Sequence, residues 1–442
     1  MNLKSKKNKL LILLSLVFIL SIAAFFYIQS TQAERNNFAK TITDPNPNKA
    51  NIVDSSGIYS KEYIKAILDS SSSDSNVQVI LYSNYDDYLK AVVEDSVAGK
   101  NIQKQYHGKR INIAVTGVDS RLGDSYKHAD ANHIISILAD SGRIEIISIP
   151  RDTYADAGFE DSTGQNKLTV FRAARGRKSY LNEIASIANL DKIHYYIEFG
   201  FSQAIGLIEL LGYKNAVSTL RVLRSRTGLG GDDYQRVYNQ SQFIRQNITN
   251  RWGLFNSFSG EILIRAGLLL TESNLTYDKV IEIREELNTH GFSSKTNIEI
   301  RIKPPIPIKY KVFELTNPEV IAALSSKISS FNQHHYGDSV IHNKDVGGKV
   351  SHILMRDINN SINSNFKGNS LRKLNIYFEQ KAWLQIDNIS ERDSVRELLC
   401  NTLINYYTKR KDMDKANAIK NYLEIEKKSF KLKNTVKFEK IF

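Results

Sequence analysis

Arginines and aspartates stand together in three short segments of this 442-residue chain. The segments are GVDSR, SIPRD and RSRTGLGGDDYQR, with arginines at Arg121, Arg151, Arg224, Arg226 and Arg236. Each segment carries or adjoins an aspartate, at Asp119, Asp152 and Asp233. A planar guanidinium binds two phosphate oxygens at once, which the ammonium group of lysine cannot do. These residue types indicate a site for a polyanion, such as a diphosphate with its metal ion.

Two of the three segments directly follow apolar runs that are typical of buried strands. INIAVTG (111–117) precedes Asp119 and Arg121, and RIEIISI (143–149) precedes Arg151 and Asp152. In an open α/β sheet, ligand-binding groups stand beyond the carboxyl ends of the strands, so these residues lie where a site is built. Asp130 stands before a third run, NHIISILA, and reaches the same end if that strand is antiparallel to its neighbour or if the loop folds back.

The third segment offers two more geometries. Arg224 and Arg226 are two residues apart, and on an extended chain both would project from one face. Arg236 and Gln240 are four apart on a helix predicted for 232–252, so they share a face, and the amides of its first turn favour an anion. The alternative is a solvated surface, since a chain with 60 lysines and arginines contains chance clusters that the aspartates merely neutralise.

The elements that must position these residues follow from hydrophobic patterning. Short β-branched runs predict strands at 111–117, 132–139, 143–149, 192–199 and 297–303, and Asp140-Ser141-Gly142 predicts a tight turn between the second and third. Helical spacing predicts helices at 201–212, 232–252 and 277–287. Mixed strands and helices predict one α/β domain over 106–332, with a mixed central sheet flanked by helices.

Four lysines followed by an uncharged apolar run predict a membrane anchor near the N-terminus. The lysines are Lys4, Lys6, Lys7 and Lys9. The run from Leu10 to Ile28 has nineteen residues, which as a helix nearly spans a bilayer core. Positive flanks stay cytoplasmic, so we expect a single-pass protein whose main domain is extracytoplasmic. A cleaved signal peptide ending near the TQA at 31–33 is the alternative.

Regions on both sides of the α/β domain differ from it in composition. Residues 29–105 are predicted to form a polar stalk and a small accessory segment, and residues 333–442 a helical extension. Residues 399–423 have the helix–turn–helix spacing of a tetratricopeptide unit, with Tyr407, Asp412 and Ala416 suitably placed. A plain helical hairpin is favoured, because such repeats need neighbours to bury their faces. We expect the extension to bind a protein partner.

Charge and cysteine content narrow the function classes. The formal net charge of +13 is compatible with nucleic acid, anionic lipid or a phosphorylated substrate. The predicted anchor places the basic domain outside the cytoplasm, which argues against nucleic acid. The single cysteine, Cys400, excludes an intramolecular disulfide framework and a multi-cysteine zinc site.

In order and spacing, the segments GVDSR, HADA, SIPRDT, KLTVFRAARG and LRVLRSR…DDYQRVYNQSQFI resemble the LytR-CpsA-Psr domain. The resemblance covers about residues 108–332 and implies an α/β sandwich anchored outside the cytoplasmic membrane. Members of this family bind polyprenyl-diphosphate-linked glycopolymers and transfer the polymer, through a phosphodiester, to a cell-wall hydroxyl. Peptidoglycan is the usual acceptor, and the sheet and helices enclose the prenyl tail.

The resemblance also implies roles for individual residues. The diphosphate would be held by Arg121, Arg151, Arg224, Arg226, Arg236 and Gln240. Asp119 and Asp130 would hold Mg²⁺ against it. General acid–base chemistry, rather than the resemblance, offers Asp130 or Asp152 as the acceptor of the hydroxyl proton, and we place Arg151 with these two carboxylates in the catalytic set.

Three positions depart from the family pattern. His128 and Ala131 stand where the pattern has Arg and Thr, and Thr169 stands where it has Asn. The sequence therefore leaves two functions open. The first is an extracytoplasmic glycopolymer transferase, and the second is a non-catalytic protein of cell-envelope assembly that binds the lipid carrier or serves as a scaffold.

Overall fold

A computed structural model describes residues 108–119, 122–124, 127–226, 229, 233–252, 258–305, 310–336 and 346–435. The predicted anchor at 10–28, the stalk and the accessory segment lie outside these residues, and so does Arg121. None of the described helices combines the length and the hydropathy that a membrane span requires.

The described residues form a mixed sheet, as the sequence predicted. It has six strands, of which five were predicted and the two-residue strand Glu272–Ser273 was not. Its strands are β1 (Arg110–Asp119), β2 (His128–Leu138), β3 (Arg143–Ile149), β4 (Tyr195–Phe199), β5 (Glu272–Ser273) and β6 (Ile298–Ile302). They are arranged in the order β5-β4-β1-β2-β3-β6. The β1–β2, β2–β3 and β4–β5 pairs are antiparallel, whereas β1–β4 and β3–β6 are parallel. The carboxyl ends of β1, β3, β4 and β6 therefore meet at one edge, together with the amino end of β2.

A β-bulge shapes this edge. The register passes from Gly117 opposite Ala131 to Val118 opposite Ala129, so Asp130 is the extra residue on β2. A Cβ on Gly117 would lie 3.0 Å from the Cβ of Ala131, which explains why the smallest residue stands at this crossing. Bulges bend a strand and redirect its side chains, and they are common beside active sites. Asp130 thus reaches the edge where β1 ends, because β2 is antiparallel to β1.

Both faces of the sheet are buried under helices. The helices of this part are α1 (Leu168–Ile187), α2 (Phe201–Leu210), α3 (Ala216–Arg224), α4 (Asp233–Arg251), α5 (Phe258–Leu270), α6 (Tyr277–Thr289) and α7 (Pro318–Tyr336). Helix α1 packs against one face, where Ala114, Ile134 and Ile147 form a small core. On the other face, Ile113 and Ile135 belong to a larger core that includes residues of α2, α3 and α4. The α/β sandwich and three predicted helices are confirmed.

The extended geometry expected for Arg224 and Arg226 is wrong. Arg224 is the last residue of α3, whose N-terminus is capped by the Asn215 side chain and whose Leu220 and Leu223 are buried in the core. Burial of this apolar face stabilises a helix where local spacing suggested extended chain. Arg226 follows beyond the helix end, so the two arginines reach different aspartates.

The C-terminal region is helical, as predicted. It contains α8 (Val346–Asn363), α9 (Ser370–Gln380), α10 (Ile389–Lys409) and α11 (Met413–Thr435), with a short 3₁₀ helix at Ala382–Gln385. Helices α10 and α11 form the expected hairpin, and its assignment as a tetratricopeptide unit stays a prediction. Trp383 and Leu384 belong to the same buried core as α2, so the extension packs directly on the α/β domain.

Candidate functional site

Arg151 lies at the edge of the sheet where the carboxyl ends of β1 and β3 meet. It follows β3 after Pro150, and its Nη1 donates a hydrogen bond of 2.6 Å to Oδ1 of Asp130. Its backbone N–H donates to Oδ2 of Asp233 at 3.1 Å. The Nε of Arg151 is buried and has no hydrogen-bond partner among the described residues. A buried guanidinium N–H without an acceptor is a donor that an anionic ligand can satisfy.

Asp233, the first residue of α4, joins three arginines. Its Oδ1 lies 3.3 Å from Nε of Arg226 and accepts a 2.9 Å hydrogen bond from Nε of Arg236. Arg236 is almost fully buried, and this burial lowers the pKa of its guanidinium while Asp233 opposes the shift. A buried cation without its partner would be strongly destabilising, so Asp233 holds this part of the network together.

Asp152 forms the outer part of the network. Nη2 of Arg226 donates to its Oδ2 at 2.6 Å, and Nζ of Lys167 lies 3.7 Å from its Oδ1. Lys167 directly precedes α1, so this contact connects the loop after β3 to the helix on the opposite face of the sheet.

Arg224 connects the two carboxylates predicted to bind metal. Its Nη2 lies 3.5 Å from Oδ1 of Asp119 and 3.8 Å from Oδ2 of Asp130. Its guanidinium stands over the ring of Phe201, 5.0 Å from the ring centre. Both separations from the carboxylates exceed a hydrogen bond, so this is an ion-pair arrangement that a ligand can rearrange.

The two carboxylates fit Mg²⁺ that is also bound by phosphate. No group of three or more His, Cys, Asp or Glu residues suited to a metal occurs among the described residues. Mg²⁺ needs no such group, because it is commonly held by one or two carboxylates together with substrate phosphates and water. Asp119 and Asp130 supply that number of ligands within reach of one point near Arg224.

An apolar cavity of about 120 Å³ adjoins these charges. Its apolar lining includes Val115, Phe199, Ala204, Leu207, Leu223 and Phe243. Asp119, Asp130, Arg224 and Arg236 line the same cavity. The side chains of Asp119 and Arg224 are 51% and 42% exposed, so the charged end opens to solvent. An apolar cavity with a charged opening suits an anionic head group attached to a hydrocarbon chain.

Gln240 lines the cavity, and both polar atoms of its side-chain amide have hydrogen-bond partners. Its Nε2 donates to the carbonyl of Leu223 at 2.9 Å, and its Oε1 lies 3.1 Å from Nε2 of His133. Burial lowers the pKa of His133 to about 4, so the ring is neutral near pH 7. Because Oε1 of Gln240 can only accept, the ring proton is on Nε2, which donates to Gln240. Nδ1 then accepts from the hydroxyl of Ser148 at 2.6 Å. Gln240 therefore fixes the end of α3 that carries Arg224.

The structure brings most of the predicted residues together. One linked network contains Asp119, Asp130, Arg151, Asp152, Arg224, Arg226 and Arg236, and Gln240 stands beside it. Asp233 belonged to the predicted cluster without a role of its own, and the sequence assigned no site role to Lys167 or His133. The position of Asp233 at a helix start beside the arginine-rich segment was the available signal for its role, whereas His133 gave none because its contacts come from other elements.

The fold and site define an α/β sandwich domain with an arginine–aspartate cluster at the opening of an apolar cavity. The model of the LytR_cpsA_psr family matches residues 78–215, which confirms the family resemblance drawn from the motifs. The match begins within the predicted accessory segment and ends before Arg224. The roles of Arg224, Arg226, Arg236 and Gln240 therefore stay predictions. Members of this family are generally cell-wall glycopolymer phosphotransferases.

Several solved structures are similar to part of the chain. Protein gbs0355 from Streptococcus agalactiae is 15% identical over 55% of this chain and 98% of its own, with a TM-score of 0.36. TagV of B. subtilis is 16% identical over 50% and 98%, with a TM-score of 0.35. TagT bound to LI-WTA is 12% identical over 52% and 93%, with a TM-score of 0.31. Comparison with the curated proteins gives no match.

Proposed function

We propose that this chain is a membrane-anchored, extracytoplasmic phosphotransferase. It would move a glycopolymer from a polyprenyl-diphosphate carrier to a hydroxyl of the cell envelope, such as one on peptidoglycan, and form a phosphodiester. The observation that carries this proposal is the meeting of Asp119, Asp130 and Arg224 at the opening of an apolar cavity. That arrangement offers ligands for a charged head group and an enclosed surface for the attached hydrocarbon chain.

Charge balance explains how the head group would bind. Among the described residues, four arginines and Lys167 face four aspartates, so the network is close to neutral. A diphosphate diester brings about two negative charges, which this balance alone attracts weakly. Mg²⁺ at Asp119 and Asp130 would offset these carboxylates and free Arg151 and Arg224 to bind phosphate oxygens. Diphosphate and Mg²⁺ are therefore expected to bind cooperatively.

The chemistry needs positioning and charge neutralisation more than a covalent residue. The acceptor oxygen attacks the phosphorus attached to the glycopolymer, a new O–P bond forms, and the bond to the prenyl-phosphate leaving group breaks. Mg²⁺, when bound, offsets the charge that develops on the phosphate oxygens. Arg151, Arg224 and Arg226 would hold these oxygens in place, and the buried Arg236 would support them through Asp233.

The proton of the attacking hydroxyl requires an acceptor near the phosphorus. Asp130 and Asp152 both stand in the network, and the charges of both carboxylates act to raise the pKa of the Arg151 guanidinium. Asp130 is mostly buried and bound to Arg151, whereas Asp152 is one-third exposed beside Arg226 and Lys167. Asp152 is the more exposed of the two, which favours it as the base for a bulky acceptor. Asp130 lines the cavity, which favours it as the base closest to the bound head group. Comparison of turnover in Asp130→Asn and Asp152→Asn separates the two.

Binding without turnover is the second candidate function. His128 stands at the start of β2, exposed and directly opposite Asp119, where the family pattern has an arginine. Since imidazole offers no bidentate fork, the head group would lose one contact at this position. A protein with this site could hold the lipid-linked polymer for a partner enzyme.

A binding and turnover assay with a polyprenyl-diphosphate glycan, with and without Mg²⁺, tests the proposal. Asp119→Ala and Arg224→Ala are expected to weaken binding by roughly tenfold or more, since each removes a charged contact. Arg265→Ala is a matched control, because Arg265 has the same 42% side-chain exposure as Arg224 but pairs with Glu261 in α5. Wild-type turnover supports the transferase. Binding without turnover supports the carrier-binding protein, and equal binding by all variants overturns the site.

A further inference from the structure

The helical extension reaches back to the connection between β1 and β2. Gln380, the last residue of α9, accepts a hydrogen bond from the backbone N–H of Gly123 at 3.0 Å. The Nε2 of the same side chain donates to the backbone carbonyl of Asp124 at 2.9 Å. One amide group thus satisfies a donor and an acceptor of consecutive backbone residues, and it does so across more than 250 positions of sequence.

Tyr377 supports the same contact one turn earlier on α9. A Cβ on Gly123 would lie 3.1 Å from Cε1 of Tyr377, and the φ of Gly123 is +79°. The Tyr377 hydroxyl donates to Asp357 at 2.7 Å, so the ring is fixed from α8. Glycine is therefore required at 123 both by conformation and by this ring.

Helix α9 also touches the wall of the cavity. The backbone carbonyl of Glu379 accepts a hydrogen bond from Nε2 of Gln203 at 3.2 Å, and Oε1 of Gln203 accepts from the backbone N–H of Gly200 at 2.5 Å. Gly200 and Phe201 line the cavity, and Phe201 lies under Arg224. The end of α9 therefore bridges the β1–β2 connection and the first turn of α2.

The position of this connection matters because it joins the two predicted metal ligands. Asp119 ends β1, Asp130 stands in β2, and Arg121 lies two residues from Gly123. The far end is held by Lys127, whose Nζ lies 3.1 Å from Glu198 and 2.6 Å from Glu272. Near Arg121, Leu122 packs against the large core, and Gln380 and Tyr377 contact Gly123.

We propose that Gln380 is a positioning residue of the diphosphate site, and that the helical extension is a structural part of that site. Through its contacts with Gly123 and Asp124, Gln380 holds the connection that joins Asp119 to Asp130 in sequence. The extension thereby orders part of the site before the ligand binds, which lowers the entropy lost on binding. This inference rests on the proposed function for the identity of the ligand, but the contact itself can be tested without any ligand.

The first test is hydrogen–deuterium exchange of the full-length protein in detergent micelles. Gln380→Ala is expected to speed exchange of the Gly123 amide by roughly threefold to tenfold, because the hydrogen bond from that amide is lost. Gln380→Glu is expected to retain most of the protection, since a carboxylate still accepts from Gly123. Gln385→Ala is the matched control, because Gln385 donates to Ser202 at 2.7 Å from the same extension without touching the connection.

The second test measures binding of a short-chain polyprenyl diphosphate in the presence of Mg²⁺. Gln380→Ala is expected to bind roughly threefold to tenfold more weakly, Gln380→Glu to bind at an intermediate level, and Gln385→Ala to bind like wild type. Loss of protection at Gly123 with unchanged binding overturns the positioning role. Unchanged exchange in Gln380→Ala overturns the contact itself. If wild type does not bind at all, the proposed function fails, while the exchange result still decides the contact.

Discussion

At the scale of single residues, the site is held by carboxylates as much as by arginines. In the first turn of α4, the Asp233 carboxylate pairs with Arg226 and Arg236 and accepts a hydrogen bond from the backbone N–H of Arg151. A carboxylate there also interacts favourably with the amides of the helix N-terminus. Asp152 also pairs with Arg226, but nearer to solvent, where water screens the ion pair. The two aspartates therefore offer a matched comparison of a buried and a partly exposed partner of the same arginine.

Asp233→Asn is expected to lower the free energy of unfolding by about 2–4 kcal/mol, because it leaves the buried Arg236 without its negative partner. Asp152→Asn is expected to lower it by less than about 1 kcal/mol, because that pair is partly exposed. Chemical denaturation of the purified full-length protein measures both. A loss of equal size in the two variants would contradict the assignment of Asp233 as the centre of the network.

Stability should also depend on pH through His133. Burial lowers the pKa of His133 to about 4, below its ordinary value of 6.5, so the folded protein resists the proton that the unfolded chain accepts. This contribution is fully present above pH 6.5 and is lost as pH falls towards 4. Between pH 7.5 and pH 5 the expected loss from this residue is about 2 kcal/mol.

The measurement is the free energy of unfolding at pH 7.5 and pH 5 in wild type and in His133→Gln. Glutamine can retain hydrogen bonds to Ser148 and Gln240 but does not titrate. The difference between the two pH values should therefore shrink by about 2 kcal/mol in the variant. An unchanged pH dependence would show that His133 is not held neutral by the fold.

At the scale of elements, the predictable and the unpredictable parts of the fold separate clearly. Strands β1, β2 and β3 were predicted because they are buried on both faces and β-branched residues mark them. The helical C-terminus of α3 was missed, since its stability comes from Leu220 and Leu223 packing in a core formed by other elements. The bulge that presents Asp130 follows the pairing of Gly117 with Ala131 on another strand, and no local sequence pattern contains that pairing.

Helices α2 and α3 close the apolar cavity against the sheet. Ala204 on α2 lines it, and a larger side chain there would occupy its volume. Ala204→Phe is expected to weaken binding of a long-chain polyprenyl diphosphate by at least about tenfold. Binding of a diphosphate with a very short chain should change little, because the charged residues are untouched.

Isothermal titration with the two ligands in Mg²⁺ checks this expectation. Ala204→Ser serves as the control, since it alters polarity slightly and hardly alters volume. Circular dichroism confirms that both variants retain the helical content of wild type. Equal weakening for the short and the long ligand would place the hydrocarbon chain elsewhere.

At the scale of the whole molecule, the α/β domain and the helical extension share one core. Gly206 of α2 approaches Leu384 so closely that an added Cβ would lie 2.7 Å from its Cδ1. Arg392 of α10 donates two hydrogen bonds to Glu209 of α2, at 2.8 and 3.0 Å, and a third to the Ile386 carbonyl. The sequence showed the extension to be helical but not where it docks, because these contacts join residues about 180 positions apart.

A shared core predicts that the two parts open together. Arg392→Ala removes a mostly buried partner of Glu209 and should lower the opening free energy by about 2–4 kcal/mol. In native-state hydrogen exchange, amides of β1 and β2 should lose protection together with those of α10 and α11. Arg356→Ala is the control, since Arg356 is exposed on α8 and should leave both sets unchanged. Loss of protection confined to α10 and α11 would mean that these two helices open as a separate unit, which would contradict the shared core.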